Sequence, residues 1–194
     1  GLSSDVMVSS EDLAPTFLEA AALKPLPEMT GSSFVKLLRN EKFEGRKYVF
    51  AERGAHGSGA PMNSAAFDLS RCIVSRTHKF IYNALWQIPY TPVDFAGTEM
   101  WQELVSMNSE GKLSPEMSRI YFPPTRPVFE LYDLQKDPRE FENLAGRPEF
   151  ANIEHELKLA LTEWMIMERD YLPLPIGTTK QGAGGKQQKK GKKE

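Results

Sequence analysis

The chain has 194 residues, of which 40% are hydrophobic, and its formal net charge is −2. This length predicts one domain or one and a half, with enough apolar residues for a core. The small net charge hides an asymmetry, because the last 15 residues hold six lysines and one acid, whereas the rest holds 18 basic and 25 acidic residues. A mildly acidic body argues against a nucleic-acid-binding protein, which would need a basic stripe on its folded surface.

Cysteine content and hydropathy indicate which compartments and membrane associations are compatible with this chain. Cys72 is the only cysteine, so no intramolecular disulfide can form. This suits a reducing compartment, or a secreted domain large enough to be stable without disulfides. No apolar run approaches the ~20 residues that span a bilayer, and we expect no membrane partner. The sequence shows no targeting segment, and this absence carries little information about localisation.

Hydrophobic periodicity and capping residues predict a short series of helices and strands. Helices are predicted over residues 9–24, 33–38, 98–107 and 151–171, the last of which is the clearest. The apolar face of the first helix is expected to hold Phe17, Leu18 and Ala21. Strands are predicted over residues 47–52, 72–75, 79–85 and 129–134, the middle two joined as a hairpin by Arg76-Thr77-His78.

These elements predict an α+β fold, in which a small antiparallel sheet of about four strands packs one face against the C-terminal helix. Residues 1–43 do not fit that module and are interpreted as the last helices of a larger domain. Residues 44–172 form the sheet module, and residues 173–194 form a disordered tail rich in Lys, Gly and Gln. The tail is interpreted as a solubilising end, with polyanion binding as the alternative.

Four blocks of sequence, in this order, carry a family resemblance. They are Ser10-Glu11-Asp12-Leu13-Ala14-Pro15-Thr16, Gly31-Ser32-Ser33-Phe34 with Leu37-Leu38, Arg71-Cys72-Ile73-Val74 with His78-Lys79-Phe80-Ile81-Tyr82-Asn83, and Glu130-Leu131-Tyr132-Asp133-Leu134 with Asp137-Pro138 and Glu142-Asn143-Leu144. Over roughly residues 5–170 the chain resembles the C-terminal portion of the sulfatase family. The segment after the hairpin, with Pro89-Tyr90 and Asp94, is similar to that of the heparan N-sulfatases, or sulfamidases.

The resemblance implies an alkaline-phosphatase-like protein of two domains. Its large domain would hold Ca²⁺ and a formylglycine made from Cys or Ser, and its small C-terminal domain would help to wall the substrate pocket. Both groups are expected upstream of Gly1, so this chain would hold no catalytic residue and no metal ligand. The implied substrate is a sulfated carbohydrate, cleaved at a sulfate ester or a sulfamate, and the implied localisation is secreted, periplasmic or lysosomal-type.

Three residues are candidates for binding the substrate. His56 lies in a loop after a strand, and the sulfamidase-like pattern has a His at the matching place; the alternative is a solvent-exposed loop residue. Glu52 would orient His56 or bind a hydroxyl, or else pair with Arg53 or Arg71 as a strand-end carboxylate. Arg71 belongs to a group of basic residues around the hairpin, with Arg76, His78 and Lys79. This group would favour binding of an anionic glycan, or else it would be a solvated hairpin turn.

Other conspicuous residues have structural interpretations. The formylglycine signature C-x-P-S-R superficially resembles Cys72-Ile73-Val74-Ser75-Arg76. Val74 replaces the proline, however, and the pattern of the run predicts a strand. We therefore interpret Cys72 as a structural thiol and not as the formylglycine precursor, and call it a decoy in this sense. Asp133 and Asp137 are expected to form turns. Trp86, Tyr90 and Trp101 would offer a stacking face for a sugar, or equally serve as core aromatics.

Two other classes of function remain open at this stage. The chain would belong to a catalytically inactive sulfatase-like protein that only binds glycans, or it would be a stand-alone interaction module. In the second case a homodimer through the helix predicted over residues 151–171 is the expected arrangement.

Overall fold

The computed structural model describes residues 3–55, 67–89, 92 and 95–170. Within these ranges the chain forms one sheet, five α-helices and two 3₁₀ turns, at Ser10–Asp12 and Pro148–Phe150. The strands are β1 (Val49–Ala55), β2 (Phe67–Val74), β3 (His78–Asn83) and β4 (Phe129–Asp133). The helices are α1 (Leu13–Ala20), α2 (Val35–Leu38), α3 (Glu99–Ser109), α4 (Pro115–Tyr121) and α5 (Ala151–Met167).

The sheet has the order β1-β2-β3-β4, and every pair of neighbours is antiparallel. The predicted α+β fold and the hairpin between β2 and β3 are therefore confirmed. Ser75 closes the hairpin turn, because its backbone N–H donates to the His78 carbonyl and its hydroxyl oxygen accepts from the His78 N–H at 3.0 Å. β2 begins at Phe67, earlier than the predicted start at Cys72.

Alternation along the strands gives the sheet two different faces. One face, called the helix face below, packs its apolar side chains against α5. Its core consists of Ile73, Phe80 and Leu131 from the strands and Leu157 and Leu161 from α5, all of them buried. The other face, called the open face below, holds Ser70, Cys72, Asn83, Glu130 and Tyr132, which alternate with the core residues along the same strands.

The helix α5 confirms the apolar spacing that predicted it, but it ends at Met167 rather than at residue 171. Arg169 adopts a left-handed backbone with φ of 54°, and the Asp170 N–H donates to the Met165 carbonyl at 2.8 Å. This turn satisfies carbonyls at the end of the helix and brings Asp170 back towards the sheet. Met167, the last residue of the helix, is exposed although it shares the helical spacing of the buried Leu157 and Leu161.

The N-terminal segment is organised around the buried carboxylate of Asp12. This group accepts hydrogen bonds from the backbone N–H of Ser9 and of Ser32 and from the guanidinium of Arg46. Burial by itself raises the pKa of Asp12, but the Arg46 side chain and the two backbone donors lower it to about 2. Gly31 is required here, since a Cβ would lie 2.0 Å from the Glu11 carbonyl oxygen.

Two predictions about helices need correction. The predicted apolar face of α1 is not buried within the described residues, where Phe17 is 69% exposed. The helix α4 was not predicted, although Ser114 caps it by accepting from the Met117 N–H at 3.2 Å and Pro115 occupies its first position. Only seven residues long, α4 shows too short an apolar pattern for periodicity to reveal it.

The predicted boundary between residues 43 and 44 stays a prediction. Arg46 and Asp12 join the two segments that this boundary separates, and the Arg46 N–H also donates to the Met7 carbonyl at 3.1 Å. The predicted tail, residues 173–194, lies outside the described residues.

Candidate functional site

Two of the three predicted substrate-binding residues meet at one end of the sheet. Glu52 and Arg71 are register partners on β1 and β2, and Glu52 Oε2 lies 3.6 Å from a guanidinium nitrogen of Arg71. The Glu52 side chain is mostly exposed, whereas Arg71 is buried. His56 immediately follows the last residue of β1 and lies outside the described residues. The end of the sheet at which β1 ends and β2 begins is called the loop end below.

Arg71 is held by protein groups on every side. Its Nε and Nη2 donate to the two carboxylate oxygens of Asp170, the second at 2.7 Å. Its Nη1 donates to the carbonyl oxygens of Arg53 and Ser70, at 3.1 and 2.9 Å. The bond from Arg71 also lowers the pKa of Asp170, because it stabilises the charged carboxylate. With only 4% of its side chain exposed, Arg71 ties α5 to the loop end of the sheet, and its direct contact with substrate stays a prediction.

The predicted cluster of basic residues around the hairpin does not form. Arg71 pairs with Tyr82 at the loop end, whereas Arg76 lies in the turn at the opposite end of the sheet. Lys79 faces the open side of the sheet and donates to Glu140 at 2.7 Å. Strand alternation and length separate these charges, although they are neighbours in the sequence.

A β-bulge interrupts the pairing of β1 with β2 at the loop end. Arg53 pairs with Ser70 and Ala55 pairs with Phe67, so two residues of β2 oppose Gly54 alone. Bulges re-aim the chain that follows them and are frequent beside functional sites. One of these two residues is Asp68, whose carboxylate accepts hydrogen bonds from both Nη groups of Arg126 at 2.9 and 2.7 Å. This pair braces the start of β2 opposite the end of β1, after which His56 follows in the sequence.

The open face forms the floor of a cavity of about 780 Å³ with both polar and apolar lining residues, which extends from the strands to α4. Glu130 lines this cavity and accepts hydrogen bonds from the Asn83 side-chain amide and the Tyr132 hydroxyl. Burial, followed by the hydrogen bond to Glu130, raises the pKa of Tyr132, so this phenol stays neutral. The exposed side chain of Arg119 reaches the cavity from the last turn of α4. Sequence reasoning did not single out any of these residues.

Cys72 lies in the middle of β2, between Ala51 on β1 and Ile81 on β3. Burial raises the pKa of its thiol to about 11, so it is almost entirely protonated at neutral pH. It is not at the start of a helix, where backbone donors would support an anion. This environment agrees with its interpretation as a decoy.

The aromatic and acidic candidates take mainly structural roles. Trp101 is buried and stacks on Phe122 with ring centroids 5.3 Å apart, so it is a core aromatic, whereas Trp86 is partly exposed. Tyr90 lies outside the described residues. Asp133 accepts from the N–H groups of the two following turn residues, and Asp137 accepts from the Glu142 N–H at 2.8 Å, which confirms that both aspartates form turns.

The described residues were also compared with the requirements of metal sites and membrane spans. No group of three His, Cys, Asp or Glu side chains within them is arranged to hold a metal ion. Among the helices of this part of the chain, none is both long enough and apolar enough to cross a membrane.

The chain is similar in sequence to three curated sulfatases. Two are ulvan-active sulfatases from Formosa agariphila, which are 32% and 31% identical over 89% and 96% of this chain. The third is the human N-sulphoglucosamine sulphohydrolase, 27% identical over 88% of the chain. The chain spans only 28%, 35% and 34% of the lengths of these relatives. No protein-family model matches the sequence.

Solved structures support the same fold. A 2-O GAG sulfatase superposes with a TM-score of 0.53 and 22% identity, over 82% of this chain and 25% of that protein. A protein solved in complex with its substrate D-glucosamine-2-N,6-O-disulfate superposes with a TM-score of 0.51 and 21% identity, over 84% of this chain and 24% of the other. The four-stranded sheet with its packed helix is thus the fold of a C-terminal sulfatase subdomain, and the chain belongs to the sulfatase family as a C-terminal portion of it.

Proposed function

We propose that this chain is part of a sulfatase that hydrolyses sulfate esters or sulfamates of sulfated carbohydrates, with a sulfamidase-like substrate. The observation that carries the proposal is the similarity to two ulvan-active sulfatases and an N-sulphoglucosamine sulphohydrolase along almost the whole chain. All three are named for carbohydrate substrates. A secreted, periplasmic or lysosomal-type location would accompany such a substrate.

The chain's own contribution would be to shape the substrate pocket. Glu52 lies on β1 beside Arg71, which Asp170 connects to α5, and His56 follows the last residue of β1 in the sequence. A side chain held in this way is positioned before substrate arrives, which reduces the entropy lost on binding. Glu52 would accept a sugar hydroxyl, and His56 would donate to a sulfate oxygen.

The described residues do not fit the two groups that the family resemblance implies for catalysis. Calcium needs several oxygen ligands, and no carboxylate cluster of the required kind occurs in these ranges. The formylglycine precursor would need to support an anion, and Cys72 lies inside a strand with a raised pKa. We therefore place Ca²⁺ and formylglycine in an upstream large domain, which would be the partner of this chain, and derive no step through them.

A catalytically inactive, glycan-binding relative is the second candidate. It is favoured by one observation, which is that the cavity on the open face provides binding groups of its own. A stand-alone module that dimerises through α5 is a third candidate, which the exposed Ile166 and Met167 at the end of that helix would serve.

The decisive experiment measures sulfate release from N-sulfoglucosamine, a sulfated ulvan oligosaccharide and an aryl sulfate. Two proteins are compared, the 194-residue chain and a version extended upstream to its full reading frame, each with a Cys72→Ala control. Release by the extended protein alone, unaffected by Cys72→Ala, is expected, and the preferred substrate identifies the bond. Release by the 194-residue chain that Cys72→Ala abolishes would overturn the assignment of the nucleophile. Absence of sulfate release by both proteins would favour the candidate that only binds glycans.

A further inference from the structure

The cavity on the open face is separate from the residues predicted to bind the reacting sugar. Glu52 and Arg71 project on the helix face, whereas Ser70, Asn83 and Glu130 project on the opposite face. At about 780 Å³ the cavity lies within the range of small-molecule sites in proteins. The hydrolytic function proposed above does not use it.

Most charges around this cavity are balanced by protein partners. Arg126 is neutralised by Asp68, with each side chain about one-tenth exposed, and Glu140 is neutralised by Lys79. Two charges have no ion pair among the described residues: the carboxylate of Glu130, whose partners are neutral hydrogen-bond donors, and the guanidinium of Arg119. The cavity therefore offers one uncommitted guanidinium, the group best suited to hold a sulfate or carboxylate through two parallel hydrogen bonds.

The remaining lining fits a sugar ring better than it fits a bare anion. Tyr121 and Phe141 supply aromatic surface on the wall of the cavity. Each oxygen of Glu130 receives one hydrogen bond, from Asn83 or from Tyr132, and has capacity to accept a second from a sugar hydroxyl. A fixed carboxylate repels a free inorganic anion but favours a ligand that carries hydroxyl groups as well as a negative charge.

We propose that this cavity is a second carbohydrate subsite, which holds an anionic sugar unit of the glycan next to the unit that is cleaved. Arg119 binds its sulfate or carboxylate group, Glu130 accepts a hydroxyl, and Tyr121 packs against the ring. The identity of the ligand rests on the proposed function. Arg53 and Asn83, which line the cavity, lie towards the loop end of β1 and β3.

The test is a calorimetric titration of the 194-residue chain, which needs no catalysis. The probes are a sulfated ulvan oligosaccharide, the same oligosaccharide after chemical desulfation, and sodium sulfate. The variants are Arg119→Gln and, as a matched control, Arg39→Gln, which removes an exposed arginine at the end of α2 for which the described structure shows no ion pair. Both positions are exposed, so both variants are expected to fold, and circular dichroism checks this.

We expect Arg119→Gln to weaken binding of the sulfated oligosaccharide by roughly 10-fold or more, the usual effect of losing a charge-assisted pair. Arg39→Gln leaves it unchanged, and the desulfated probe binds equally to all three proteins. Equal affinity of Arg119→Gln and the unaltered chain for the sulfated probe would overturn the proposal. So would sodium sulfate that binds as tightly as the oligosaccharide and loses its affinity in Arg119→Gln, because the cavity would then be a simple anion site.

A second measurement locates the ligand directly. Amide chemical shifts of Ser70 and Asn83, which floor the cavity, are expected to change on titration, while those of the hairpin turn do not. Shifts confined to Glu52 and its neighbours would place the glycan at the loop end alone and refute the second subsite. Sulfate release and glycan binding are independent measurements, so failure of the enzyme proposal and failure of the subsite proposal are told apart.

Discussion

The two faces of the sheet are built by the same four strands but hold opposite chemistry. The helix face buries Ile73, Phe80 and Leu131 against α5, with at most 1% of each exposed. The open face carries Asn83 and Glu130 on the same strands, one position away. Apolar burial contributes roughly 25 cal/mol per Å², whereas buried polar groups cost free energy unless they are paired.

This difference indicates that the helix face stabilises the fold by apolar burial, whereas the open face is subject to other constraints. Within the described residues no buried side-chain polar atom lacks a hydrogen-bond partner, as the bonds of Asn83 and Tyr132 to Glu130 on the open face illustrate. A sheet selected for stability alone would gain more from apolar residues and a second covering helix. The open face is where we propose the second carbohydrate subsite, and the following experiments test the contrast between the two faces.

The largest effect is expected in the core of the helix face. Leu157→Ala should lower the free energy of unfolding by about 3–5 kcal/mol, because Leu157 is fully buried and its removal leaves a cavity. Leu159→Ala on the same helix is the matched control, since Leu159 is 56% exposed, and should cost less than about 0.5 kcal/mol. Urea denaturation measures both. Equal losses would show that α5 does not supply the core.

The loop end has one ion pair on each face of the sheet, and the two pairs should contribute equally to the free energy of unfolding. Asp170→Ala leaves the buried Arg71 without its carboxylate, and Asp68→Ala does the same to Arg126, so each should cost about 3 kcal/mol of unfolding free energy. Glu142→Ala breaks an exposed pair with Arg147 and should cost less than about 1 kcal/mol. Thermal unfolding distinguishes these outcomes. An effect of Asp170→Ala as small as that of Glu142→Ala would contradict the bracing role.

The alkylation rate of Cys72 measures how well the open face is shielded from solvent. Because burial raises the pKa of its thiol from 9.0 to about 11, the thiolate fraction near neutral pH should fall about 100-fold. Iodoacetamide should therefore alkylate the native chain at least that much more slowly than the urea-unfolded chain, as followed by mass spectrometry. Equal rates in the two states would mean that the centre of β2 is open to solvent and ionised.

The N-terminal segment offers a reference that belongs to neither face. Asp12 has its pKa lowered from 3.8 to about 2, so it contributes stability that is fully present above pH 3.8 and is lost as the pH falls through about 2. This contribution amounts to about 2 kcal/mol. Asp12→Asn should remove it, which flattens the pH dependence of the urea midpoint between pH 2 and 4. An unchanged profile would show that other carboxylates control acid unfolding.

Several elements followed directly from sequence pattern. Helix α5 was predicted because its apolar residues recur at helical spacing over four turns, and the β2–β3 hairpin because two strand-like runs flank a short polar turn. The turn roles of Asp133 and Asp137 also followed, since they depend on bonds to backbone groups two to five residues away. Signals of this kind are local, and the chain itself supplies both partners.

The sequence by itself determined the family, the α+β class and the hairpin between β2 and β3, because these depend on local periodicity and on motifs that keep their spacing. Only the tertiary structure decided that Arg71 meets Asp170 across 99 residues, that Asp68 meets Arg126 across 58, and that Arg119 reaches the open-face cavity. Such pairs leave no periodic trace in the sequence. They arise because strand pairing and the packing of α5 bring distant segments together, and burial then selects the partners that neutralise each charge.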